Sequence, residues 1–187
     1  PADGSDVPLT QEGLKALNHN VSLQKAGDTS FDSAAGNCGS PGQPKLMLTN
    51  DKFRIFVRES MVTVVYEQNR LFRQISLDNT LENPVIGEYW WKFGTMQGRS
   101  EGSLSGDTLH IETKGLTGGK LIDSVMPHSE QLVISEKWFI KDDSTLVNEL
   151  TLNDPLMFTR PWTARIEYER RDESAYPFDE KVCLDTL

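Results

Sequence analysis

The chain reads as an all-β protein, an antiparallel barrel of about eight to ten strands behind a short N-terminal helix, and three observations predict this. From about Leu46 onward, short β-branched and aromatic runs follow one another, the residue types that fit a pleated, half-buried surface. Turn chemistry separates the runs, most clearly at Ser105-Gly-Asp107 and Lys141-Asp-Asp-Ser144. Within them apolar and polar residues alternate with period two, as strands with one buried face require.

The elements follow in chain order. Thr10 is a capping residue ahead of Leu14 and Leu17, which predicts a short helix over Leu9–Leu17 serving as a lid or strap. From Asn18 to Pro44 the chain is rich in Gly, Ser, Asn and Asp and lacks periodicity, predicting a long surface loop pinned at Phe31. Residues 1–44 therefore read as helix and strap and residues 45–187 as the barrel, within one domain. Strands are expected near 52–58, 61–68, 71–77, 87–97, 99–105, 108–114, 130–141, 144–152, 162–170 and 179–184. Their close spacing favours an up-and-down barrel.

Alternation also names the inward residues. Val62, Val64 and Tyr66 share a face, as do Leu109, Ile111 and Thr113. So do Leu146, Asn148, Leu150 and Leu152, and then Trp162, Ala164, Ile166 and Tyr168. On the strand near 130–141, Leu132, Ile134, Glu136, Trp138 and Ile140 point the same way, which sets a carboxylate among large apolar groups. A carboxylate there loses hydration and must find a partner or hold its proton. Asn148 is expected on the neighbouring strand of the hairpin. Arg73 lies on the face of Leu71, Ile75 and Leu77, and could supply the positive charge that keeps Glu136 ionised. A structural role for that pair, fixing barrel register, stands beside a cavity role.

His128-Ser129, just before the Glu136 strand, falls at the expected barrel mouth. His128 and Glu136 are the candidate catalytic pair, for general acid/base work. The alternative is a histidine that closes a turn and a serine that caps it. Arg73, Arg99, Tyr66, Trp138, Asn148 and Trp162 are candidate ligand contacts. Trp90 and Trp91 are adjacent, so only one can face inward.

Composition excludes several classes. Nineteen Lys and Arg against 28 Asp and Glu give a net charge of −9 spread along the chain. That disfavours a nucleic-acid or anionic-membrane surface and leaves a small apolar, neutral or cationic molecule as the plausible partner. No apolar run approaches the roughly 20 residues of a spanning helix, and no signal segment opens the chain, so membrane insertion is not expected. The three histidines, His19, His110 and His128, show no metal-ligand spacing, so neither a metal nor another cofactor is expected. Gly98-x-Ser100-x-Gly102 matches a nucleophile-elbow pattern without the strand, turn and helix that chemistry requires. Cys38 and Cys183 lie far apart without a CxxC motif, a disulfide pair if the protein is exported and two free thiols otherwise.

The ordered motifs resemble a family of exported bacterial proteins expected to form lipocalin-like β-barrels. The resemblance runs from Leu9-Thr-Gln-Glu-Gly13 through Cys38-Gly-Ser-Pro-Gly-Gln-Pro-Lys45, Gly98-Arg-Ser-Glu-Gly102 and Gly106-Asp-Thr-Leu109. It continues at Pro127-His-Ser129 with Glu136, at Asn153-Asp-Pro155, at Phe158-Thr-Arg-Pro-Trp-Thr163 and at Val182-Cys183. It implies a periplasmic or secreted protein and strengthens the disulfide reading. Arg99 stands where the family pattern has histidine, and Leu104 where it has an aromatic, so any chemistry of that histidine is altered or absent here. The family brings no general activity. The expected function is binding of a small, largely apolar molecule inside the barrel. An enzyme on the same scaffold, catalysing cyclisation, isomerisation, hydration or elimination by proton transfer, is the alternative, and a barrel filled by its own side chains is the third reading.

Overall fold

The structure, a computed structural model, describes residues 1–35, 39–49, 51–78, 94–172, 174 and 176–178. Helix α1 spans Gln11–Lys25. Thr10 caps it, its hydroxyl oxygen accepting from the Gly13 N–H at 3.0 Å. The helix runs well beyond the expected Leu9–Leu17. Asn20, assigned to the loop by its polarity, is buried instead, and its amide donates to the Val125 carbonyl at 2.9 Å. A tertiary contact thus extends the helix where propensity alone ends it. Gly13 lets the helix approach closely, since a Cβ there would stand 2.2 Å from the Met157 carbonyl oxygen.

The strands are β1 (Phe53–Val57), β2 (Met61–Tyr66), β3 (Phe72–Ser76), β4 (Arg99–Ser105), β5 (Thr108–Lys114), β6 (Lys120–Leu121), β7 (Pro127–His128), β8 (Val133–Asp142), β9 (Thr145–Asn153) and β10 (Trp162–Glu169). Eight of them form one sheet in the order β1-β2-β3-β4-β5-β8-β9-β10, while β6 and β7 pair separately. The expected strands near 87–97 and 179–184 fall largely outside the described residues, as do Trp90, Trp91, Cys38 and Cys183. Of the first, Thr95 makes an isolated bridge to Leu116. No described helix is long and apolar enough to cross a membrane.

The sheet is mostly antiparallel and curls into a half-barrel. It departs from strict up-and-down order at one place, where β3 and β4 run parallel through Ile75↔Ser100 and Ser76↔Glu101. A parallel neighbour needs a crossover rather than a tight hairpin, and residues 77–98 provide the length. The first and last strands approach through side chains: the rings of Phe53 and Tyr168 meet edge-on at 4.8 Å.

Inward positions follow the alternation closely. Val62, Val64, Tyr66, Ile75, Leu109, Ile111, Trp138, Leu150 and Leu152 are buried, because each faces the hollow of the curl. Ile140 differs: on the same face as Trp138, it is 68% exposed. It stands at the end of β8, beside the β8–β9 turn, with no further row of side chains to cover it. The core divides into two clusters. One joins Leu116, Ile122, Leu132, Ile134, Phe158 and Trp162 under α1. The other joins Leu46, Val64, Tyr66, Ile75, Leu109 and Trp138. Leu46 and Met47, on a 3-10 turn over Lys45–Leu48, enter the hollow from the strap.

Candidate functional site

Period-two alternation on β3 and β8 aims Arg73 and Glu136 at each other across the hollow, and the two form a buried ion pair. Arg73 is 1% exposed and Glu136 2%. Arg73 Nη2 donates to Glu136 Oε1 at 2.5 Å and Nη1 to Oε2 at 3.2 Å. Glu136 Oε2 also accepts from Trp138 Nε1 and from Asn148 Nδ2, each at 2.9 Å. The register explains the convergence, for Trp138 pairs with Asn148 and Glu136 with Leu150 across β8 and β9. The guanidinium also meets two hydroxyls: Nε donates to Ser100 Oγ at 3.0 Å and Nη2 to Thr113 Oγ1 at 2.7 Å. Ser100 and Thr113 face each other across β4 and β5, their oxygens 2.8 Å apart.

Burial alone would lower the pKa of Arg73, but Glu136, by charge and by hydrogen bond, together with Tyr66 and Tyr168, raises it above the ordinary value. Two phenols border the pair. Burial raises the pKa of Tyr66, opposed by the Arg73 charge and the Gln43 amide. Burial likewise raises that of Tyr168, with Tyr66 and Glu136 adding to it and the Asn148 amide opposing. Both hydroxyls therefore stay protonated at neutral pH. The Tyr168 hydroxyl donates to the Met47 carbonyl at 3.2 Å, which pins the strap against β10.

Among the described residues three buried amide oxygens lack a donor, Asn148 Oδ1, Gln43 Oε1 and Gln68 Oε1. A buried acceptor left unpaired is costly unless water or a ligand completes it. Gln43, wholly buried, holds its other amide atom in place by donating from Nε2 to Gln97 Oε1 at 3.0 Å.

The other expected site residues lie elsewhere. His128 is buried on β7 and its Nδ1 is 2.9 Å from the Ser129 carbonyl oxygen, so its hydrogen bonding does not connect it with Glu136. Burial lowers its pKa, opposed by the Ser129 carbonyl, by Asp154 and by the Gln43 backbone. Ser129 Oγ and N–H both donate to the buried Asp154 carboxylate, at 2.8 and 2.7 Å. His128-Ser129 thus sits in a turn-closing cluster. Arg99 points away from Ser100's face and pairs with Glu101. Trp162 packs in the cluster under α1, edge-on to Phe158 at 5.6 Å. Cys38 and Cys183 are outside the described residues.

Glu136 has little capacity for proton transfer in this state. Four donors already reach it, three on Oε2 and one on Oε1, and its side chain is 0% exposed. Among the described residues no three His, Cys, Asp or Glu side chains converge as metal ligands. A groove of about 530 Å³ lies on the opposite face of the sheet, among Glu101, Ser103, His110, Lys137, Glu149 and Thr163. The Glu136 carboxylate lies on the inward side, away from this groove.

Exposure rises toward one end of the inward face. Leu104, Leu109, Trp138 and Asn148 follow one another across β4, β5, β8 and β9, and Ile140 pairs with Leu146 in the next row. Trp138 is 4% exposed, whereas Leu104 is 65% exposed. An apolar lip of Leu104, Ile140 and half-buried Leu146 thus stands next to the Trp138, Asn148 and Tyr168 floor. Comparison with protein-family models, with curated proteins and with solved structures finds no match to this chain.

Proposed function

We propose that the half-barrel is a binding module for a small, largely apolar molecule, seated at its open end with its apolar body on Leu104, Ile140 and Leu146. The observation that carries this reading is the sequence of rows at that end: exposed aliphatic side chains, then Trp138, then polar atoms with unmet hydrogen-bonding capacity. A ligand site has that composition, an apolar wall with a few convergent polar groups. Isolated exposed apolar residues are ordinary, but aliphatic positions grouped beside an aromatic floor mark an interaction surface. The tethering of Glu136 favours binding over acid/base turnover, since a wholly buried carboxylate held by four donors is cut off from solvent and must give up bonds to move a proton.

The test is titration with Nile red, a neutral dye that brightens on leaving water. The native protein should bind it saturably, and Leu104→Glu with Ile140→Glu should weaken binding at least about tenfold by placing charge in an apolar contact. Leu156→Glu, at an exposed position outside the lip, should leave it unchanged. Equal dye binding by the native protein and the double variant sinks the reading.

A further inference from the structure

We infer that a groove between the strap and the end of α1, separate from the Leu104, Ile140 and Leu146 lip, binds a small organic ammonium ion with an apolar body. The groove holds about 440 Å³, and its wall comes from distant parts of the chain. Gln24 lies in the last turn of α1, Phe31 and Asp32 on the loop that follows, Lys45 and Leu48 on the 3-10 turn, and Asp123 between β6 and β7. That volume falls within the range of small-molecule sites, about 300–1,000 Å³. Phe31 and Leu48 form its apolar part. Leu48 is 45% exposed although Leu46 and Met47 beside it are buried in the hollow, so the same turn that fills the core leaves an aliphatic surface facing the groove.

The charges decide which molecule fits. Lys45 Nζ meets Asp32 Oδ2 at 2.5 Å, with side chains only 16% and 15% exposed, and these two charges cancel within the wall. Asp123 has no such counter-charge. Its Oδ1 accepts from the Val125 and Met126 N–H groups at 2.8 and 2.7 Å, which holds the carboxylate in place, while its Oδ2 is bound by no described residue. Gln24 brings the carbonyl end of α1 to the groove, the negative end of the helix dipole. Lys25, in the same turn, is exposed and does not line the groove. One uncompensated carboxylate and a helix C-terminus therefore border the space beside the Phe31 ring, and an aromatic face attracts a cation. An anion meets repulsion here, because Lys45, the one cation among the described lining residues, is already neutralised. A neutral molecule gains the Phe31 and Leu48 contacts and nothing from Asp123.

Three probes that share a ring and a short chain separate these cases: 2-phenylethylammonium, 2-phenylethanol and 3-phenylpropionate. Each is titrated into the native protein and followed by backbone amide NMR shifts. Shifts at Gln24, Phe31, Leu48 and Asp123 should saturate with the ammonium at about tenfold lower concentration than with the alcohol, and the propionate should be weakest. Asp123→Asn keeps an oxygen for the Val125 and Met126 N–H groups while removing the charge. It should weaken ammonium binding about fivefold or more and leave the alcohol unchanged. Glu12→Gln removes the same charge from the first turn of α1, about 18 Å from Gln24 along the helix, and should change neither. An ammonium that binds no more tightly than the alcohol, a propionate that matches it, or an Asp123→Asn variant that behaves like Glu12→Gln overturns the assignment. Shifts elsewhere with none at these four residues, or no saturable shift with any probe, overturn it as well.

Discussion

The two faces of one sheet carry the same kinds of charged side chain under opposite conditions. On the inner face Arg73 and Glu136 have side chains 1% and 0% exposed and every guanidinium nitrogen is hydrogen-bonded. On the outer face Arg165 bridges Glu149 at 2.8 Å and Glu167 at 3.0 Å, and Lys141 meets Glu167 at 3.0 Å, with these side chains 38–49% exposed. Geometry does not separate the two systems, for the distances overlap. Solvent does. Water competes for each outer partner and offers an alternative when one is lost, whereas the inner pair has no substitute partner. A hydrogen-bonded ion pair is therefore informative about function only with its burial.

The largest effect expected from this contrast is at Arg73. Arg73→Met keeps much of the volume and leaves Glu136 charged among apolar groups, a loss of about 3–5 kcal/mol. Urea denaturation followed by tryptophan fluorescence reads it. Adding Glu136→Gln to that variant should restore more than about 1 kcal/mol. It removes the stranded charge while its amide oxygen still accepts from Trp138 and Asn148. A double variant no more stable than Arg73→Met would show that charge burial is not what the pair relieves.

How far this site could be read from the chain depends on which residues sit in long strands. Alternation over five to ten residues places Arg73, Glu136, Trp138 and Asn148 inward, and each is buried. The inward hydroxyls of Ser100 and Thr113 follow the same rule, but nothing in a serine or threonine marks it in advance as a guanidinium partner. Gln43 and Met47 come from a strap without periodicity, so their entry into the hollow is a tertiary event that no local pattern encodes. His128 illustrates the reverse problem. Its proximity in sequence to Glu136 suggests a shared mouth, yet it lies on β7, a two-residue strand that pairs with β6 apart from the large sheet. Ile140 obeys the alternation and is nevertheless exposed, because period fixes a face and not the depth of cover above it. The parallel β3–β4 step likewise depends on the long connection, not on either strand's pattern.

His128 gives a second way to sharpen the contrast, since it is a buried ionisable group whose cover disfavours charge. Its pKa in the folded protein is lowered from the ordinary 6.5, by burial above all, with the Ser129 and Gln43 backbones and Asp154 opposing and Lys120 assisting. The unfolded chain therefore binds the proton more readily. As pH falls through about 6.5 toward the folded value, protons favour the unfolded state and stability is lost; above that window the penalty vanishes. His128→Asn cannot take up that proton and can still donate to the Ser129 carbonyl. Urea midpoints measured between pH 7.5 and 5.5 should fall more steeply for the native protein than for the variant. Parallel slopes would mean that the buried ring does not titrate in this range.

The smallest effect belongs to the outer face. Arg165 contacts Glu149 and Glu167, and its guanidinium also lies over the Phe139 ring at 5.8 Å. Lys141 remains to serve Glu167 when Arg165 is removed, and exposed pairs contribute little because water and salt replace them. Arg165→Ala should therefore shift the urea midpoint by an amount near the error of measurement, and raising the salt concentration should shrink even that. The comparison would be broken by a loss as large as that of Arg73→Met, since the outer network would then be holding the sheet rather than decorating it. A small loss that does not respond to salt would instead assign the contribution to the contact between Arg165 and Phe139, because packing of a guanidinium on a ring survives the screening that dissolves its ion pairs.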